Sequence, residues 1–146
     1  MATEAYPVPV FHFQVEWGGT RIGFTEVSGL TQERQPIEYR EGNDRTYRPG
    51  KMPGLHKVNN ITLKRGQFRG DNEFWLWLNA AQLNKPDRRT ILIKLLDEEH
   101  NPIFTWTILN AWPCKVDGPS FKSTGNEVST ESIELCCEDW VLEASA

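Results

Sequence analysis

Short stretches that alternate between apolar and polar side chains, separated by glycine and proline, run through this chain and commit it to a β fold. The clearest spans residues 10–17, where Phe11, Phe13, Val15 and Trp17 share one face and His12, Gln14 and Glu16 the other. A period of two is the mark of a half-buried strand. Gly18-Gly19 then suits a two-residue primed turn, which predicts a return strand over residues 20–27. A third strand is predicted over 34–41, with Ile37 and Tyr39 on one face and Pro36 suggesting an edge or a strand start. A fourth spans 58–65, carrying Ile61 and Leu63. The most apolar strand covers 88–97, and its turn at Glu98-Glu99-His100-Asn101-Pro102 leads back through 103–110. Ala111-Trp112-Pro113 reads as a kink and 114–126 as loop. A long last strand is predicted over 128–142, with Ile133, Leu135 and Cys137 inward.

Only one segment has helical spacing. Asp71 can cap a helix over 71–84, Asn72 and Glu73 fall in its first turn, and Asn84 and Pro86 close it. Phe74, Trp77, Leu78 and Ala81 form its apolar stripe. About seven strands and one helix in 146 residues predict a single domain over 1–146. The fold class is mainly β: two packed antiparallel sheets forming a barrel or sandwich, with one flanking helix.

Residues 42–57 carry two prolines and three glycines, and set Asp44 against Arg45, Arg48, Lys51 and Lys57. Loops this long are uncommon in compact domains and are usually functional. This basic excess sits in a chain of net charge −4, a balance that supplies no stripe for a nucleic-acid backbone. The longest apolar runs fall far short of the roughly 20 residues of a membrane span. No basic stretch followed by an apolar run opens the sequence, which predicts synthesis in the cytoplasm without a signal peptide. Three cysteines, two of them adjacent, make a poor disulfide framework, so reduced thiols packing as small apolar groups are expected.

No motif carries catalysis. Gly50-Lys51 is followed by Met52, and position 45 is arginine, so the phosphate-loop pattern fails. His12, His56 and His100 form no ligand-spaced pair, and Asp97-Glu98-Glu99-His100 reads as a solvated turn. Ser28 lacks the flanking of a nucleophile elbow, and nothing in the spacing pairs Cys114 with a histidine. Trp75, Trp77, Trp106 and Trp112 lie at core spacing rather than as stacking platforms. The reading is a protein with no enzymatic activity, no cofactor and no metal. What stands out is assembly: the terminal strands are candidate open edges, carrying Phe11, Phe13, Val15, Ile133 and Leu135. An unprotected edge invites pairing with another copy.

Several strings, in order along nearly the whole chain, resemble the tube protein of contractile phage tails and phage-derived contractile injection systems. They are Phe13-x-Val15-x-Trp17-Gly18-Gly19, Gly23-Phe24-Thr25-Glu26-Val27-Ser28-Gly29-Leu30, Glu38-Tyr39-Arg40-Glu41-Gly42 and Arg48-Pro49-Gly50. Further along come Ile61-Thr62-Leu63-Lys64-Arg65-Gly66, Asn110-Ala111-Trp112-Pro113 and Gly118-Pro119. The resemblance implies a fold similar to the type VI secretion ring protein, and homo-hexameric rings stacked on identical rings into a hollow tube. It implies a contractile sheath around that tube, baseplate, spike and tube-terminating proteins as further partners, and a released or envelope-anchored particle. By position, Arg40, Glu41, Asp44, Arg45, Arg48, Pro49, Gly50 and Lys51 would meet the adjacent ring. The arm 1–9 would meet a neighbour, and Asp71, Asn72, Glu73 and Gln82 would face the sheath. Charge at these contacts predicts stacking that weakens in high salt. The alternatives are a type VI secretion ring protein and, from a different class, a small β-barrel carbohydrate-binding module.

Overall fold

Alternation becomes burial in β5 (Ile61–Gly66), where Ile61, Leu63 and Arg65 are fully buried and Lys64 between them is exposed. The computed structural model describes residues 9–19, 23–80 and 87–144. Before β5 come β1 (Phe13–Glu16), β2 (Glu26–Ser28), β3 (Gln32–Tyr39) and β4 (Gly50–Val58). After it come α1 (Glu73–Ala80), β6 (Arg89–Leu96), β7 (Pro102–Asp117), β8 (Thr130–Cys136) and β9 (Asp139–Ala144). Seven strands join in one antiparallel sheet ordered β1-β6-β7-β8-β5-β2, with β9 also paired to β7, while β3 and β4 pair only with each other.

The sheet makes two layers because β7 belongs to both. Phe104 to Leu109 pair with β9 on one side while Phe104 to Ile108 pair with β6 on the other. From Trp112 onward the strand pairs with β8 instead. The transition is a bulge. Ile108 pairs with Ile91 and Ala111 with Arg89, so one strand spends an extra residue there, and Asn110 takes a left-handed φ of 53°. Bulges of this kind bend a strand and sharpen its twist. Inward residues of both layers, among them Val15, Ile91, Ile93 and Ile108 from one and Ile61, Leu63, Ile133 and Leu135 from the other, meet in one core.

Helix α1 caps that core. Phe74 and Trp77 are buried against Trp17, at ring separations of 5.0 and 5.8 Å, and the Trp77 indole donates to the Asp87 carbonyl at 2.7 Å. The helix start is tied to the sheet by charge. Buried Arg65 donates through Nε to Glu131 of β8 and through Nη2 to Asp71, both at 3.0 Å, with its guanidinium 4.0 Å over the Phe74 ring. The same Asp71 oxygen accepts the Glu73 amide at 3.3 Å, so one carboxylate both caps the helix and anchors it. Gly29, at φ +91°, leads out of β2 where a Cβ would collide with the Asn60 carbonyl.

Several expectations change. Gly18-Gly19 does not close a hairpin: β1 pairs with β6 and the described β2 with β5, because Val15 and Trp17 are buried only when β1 lies beside Ile93. Residues 20–22 of the expected return strand lie outside the described residues. The expected kink at 111–113 is carried inside one continuous strand, with a second bulge after Pro113, and β7 runs on to Asp117 where loop was expected. The last strand divides at residues 137–138 into β8 and β9. Consequently Ile133 and Leu135 are not at an edge: β8 lies between β7 and β5, and both side chains are fully buried. The expected loop 42–57 is half strand, since β4 begins at Gly50. Among the described residues the strands number nine and no closed barrel forms, because β1 and β2 end the sheet unpaired with each other.

Candidate assembly surfaces

The β3–β4 ribbon stands apart from the core. Each of its side chains is exposed except at Gly54 and Val58, which are half-buried. Its ladder runs from Gln32 opposite Val58 to Tyr39 opposite Gly50, with a bulge at Pro36. At that bulge a Cβ on Gly54 would strike the Gln35 carbonyl, so glycine is needed for the strands to close. The ribbon presents Ile37, Tyr39, Met52 and Leu55 to solvent, with Leu55 84% exposed. Its root is held by Gln32, whose amide donates to the Trp140 carbonyl at 2.6 Å, and by His56, 3.6 Å from the Asp139 carboxylate.

The tip folds on itself. Asp44 accepts from the Thr46 amide and hydroxyl at 3.0 Å, and these two bonds hold its carboxyl below the usual carboxylate range, the amide contributing more. Arg40 donates to the Asp44 and Thr46 carbonyls, and the Glu41 carbonyl accepts the Asp44 amide. Arg40, Glu41 and Asp44 therefore shape the tip from within. Arg45, Arg48, Pro49, Gly50 and Lys51 are exposed around it, Lys51 lying opposite Glu38 in the ladder, and Tyr47 is 96% exposed at the apex.

Among the described residues the seven-stranded sheet leaves open edges at β1, β2 and β9, the last from the C-terminal part of the terminal strand expected over 128–142. β1 is bonded on one side only, Phe13 opposite Leu95 and Val15 opposite Ile93. Val15 points into the core, so what β1 offers a neighbour is its backbone, with Phe11 exposed beyond its start. β9 pairs only with β7 and leaves Val141 and Leu142 about half exposed. Nothing in the pattern of residues 128–142 marked the break that frees it.

On α1, Asp71 is buried at the helix start, Asn72 is exposed with its carbonyl accepting the Leu76 amide, and Glu73 lies half-buried in the first turn. Trp75 and Leu76 are exposed, so the helix buries one side only. Gln82 lies outside the described residues. The described residues contain no group of three His, Cys, Asp or Glu side chains placed to hold a metal, and no helix long and apolar enough to cross a membrane.

A family profile described as the T4-like virus tail tube protein gp19 matches residues 9–141, almost the full domain just described. The chain belongs to this tail tube family. Among solved structures, it is 36% identical to a chain of the PVC extracellular contractile injection system sheath–tube complex in the extended state, covering 97% of this chain and 94% of that one with a TM-score of 0.88. It is 35% identical to a chain of the anti-feeding prophage tube-terminating cap, covering 99% and 95% with a TM-score of 0.89. Hcp1 from Flavobacterium johnsoniae, 13% identical over 91% of this chain and 95% of that chain, shares the fold at a TM-score of 0.56. No curated protein matches. For a tail tube protein, a two-layer core with a projecting ribbon and unpaired strand edges is a set of unfinished surfaces.

Proposed function

We propose that this tail tube protein is the inner-tube subunit of a contractile injection particle, and that hexameric rings joined at strand edges stack through the β3–β4 ribbon and are driven through a target envelope by sheath contraction. The observation that carries this reading is the ribbon itself. An isolated two-stranded hairpin is marginally stable in water, yet this one extends a full ladder with Ile37, Tyr39, Met52 and Leu55 exposed. A second copy is the surface that would cover it, in a heterologous contact that repeats along an axis. Arg45, Arg48 and Lys51 give that contact a basic side in an acidic chain, which favours carboxylates on the receiving copy. The outward side of α1, with Trp75 and Leu76 exposed, is the surface offered to a sheath protein. The relatives bear on the partners: they are chains of a sheath–tube complex and of a tube-terminating cap.

Electron microscopy of the purified full chain, alone and with a baseplate as template, tests the reading. Tubes are expected from the natural chain. A variant with residues 32–58 replaced by a short glycine-rich turn is expected to give rings or monomers without tubes. Tubes of ordinary length from that variant would refute ribbon-mediated stacking, and a chain that stays monomeric on its baseplate would refute the tube role.

A further inference from the structure

Two of the three thiols meet on one sheet face. Cys114 is the extra residue of the bulge between Pro113 and Lys115 on β7, and Cys136 is the last residue of β8, opposite Trp112. The period of two puts Cys114 on the side of Trp112, and hence beside Cys136. On that face Cys114 donates to the Glu134 carbonyl at 3.3 Å. Cys137 turns the other way, into the core. Both partners sit where the ladder is loosest, one at a bulge and one at a strand end. The movement that brings the two sulfurs to a bond of about 2 Å therefore breaks little of the ladder.

We propose that Cys114 and Cys136 form a dithiol site that a low-molecular-weight disulfide oxidises to a cross-strand disulfide joining β7 to β8. The Cys136 thiolate attacks one sulfur of the small disulfide, forming a mixed disulfide and releasing one small thiolate, which takes up a proton. The Cys114 sulfur then displaces the second small thiol, its own proton leaving with that group. Two protein thiols are oxidised and one disulfide is reduced to two thiols. Burial, helped by the neighbouring thiol and Glu134, pushes the Cys114 thiol up to about 12, so the first attack falls to Cys136. In a reducing compartment the pair stays open, and in an oxidising medium it closes.

The test treats the reduced full chain with oxidised glutathione at mildly alkaline pH, then measures intact mass and counts thiols under denaturing conditions. The expected product has lost two hydrogens, carries no glutathione, and shows one remaining thiol of the original three. Peptide mapping should join the segments holding Cys114 and Cys136. Cys137→Ser should close as the natural chain does, whereas Cys114→Ser should stop at a glutathione adduct. The closed form should melt at least about 5 °C above the reduced form, a shift absent from Cys114→Ser. A glutathione adduct that persists on the natural chain, a link through Cys137, or a link between chains would each overturn the proposal. Because dissociated chains serve, the result is independent of whether tubes form.

Discussion

The sandwich and the ribbon are built by the same rule and end in opposite states. In β5 and β8 every second residue is buried, and the cross-strand partners Leu63 and Ile133 close on one another inside the core. In β3 and β4 the pairing is just as continuous, yet none of its side chains reaches that core. Antiparallel hydrogen bonding alone thus does not distinguish structure that builds the core from structure left exposed to solvent. The buried face does, at about 25 cal/mol for each Å² of apolar surface removed from water.

The contrast breaks most sharply at Arg65. Arg65→Ala leaves Glu131 and the buried Asp71 without their shared cation, and truncating one member of a buried ion pair costs about 3–5 kcal/mol. Denaturant unfolding should show that loss, and detachment of α1 should accompany it. Leu135→Ala should follow at about 2–5 kcal/mol, the spread set by how far the site collapses around the cavity. Met52→Ser, in the ribbon, should by contrast change monomer stability by no more than about 0.5 kcal/mol while sharply reducing tube yield in the microscope. A destabilisation as large as that of Leu135→Ala would show the ribbon packed within its own chain.

Charge effects should be smaller. Arg48→Glu should raise the protein concentration needed for tubes, and the difference from the natural chain should shrink as salt is added. Smallest of all is the acid response of the ribbon tip. Hydrogen bonds from Thr46 lower the Asp44 carboxyl below 3.8. A depressed carboxyl adds stability that is complete above that value and disappears as pH falls through the lowered one. Amide exchange at the tip should therefore quicken only in strong acid, and Asp44→Asn should flatten the response.

What the sequence made legible follows from the same contrast. Ile61, Leu63, Ile91 and Ile93 were readable because burial of one face imposes a period of two. Asp71 was readable as a helix start because capping has its own chemistry. The ribbon's second strand was not, since Pro53, Gly50 and Gly54 look like loop when no buried face imposes alternation. Ala111-Trp112-Pro113 looked like a kink because a bulge and a kink draw on the same residues. The partner of β1 was misread because Gly18-Gly19 is a local signal, whereas its pairing with β6 is decided by distant burial of Val15 and Trp17. Of the assembly residues, those of the ribbon tip are exposed. Ile133 and Leu135 are buried in an interior strand, because edge status depends on strand order, which no local pattern encodes.

The passage of β7 from one layer to the other has a mechanical corollary. In a sandwich whose halves touch only through side chains, shear is resisted by packing alone. Here a single backbone crosses the divide at Asn110, bonded to β9 before it, to β6 up to Ala111 and to β8 from Trp112 onward. Force applied to either half is carried to the other along covalent bonds, so the weak plane on which such a subunit would slip under a sudden axial thrust is stitched through by its own chain.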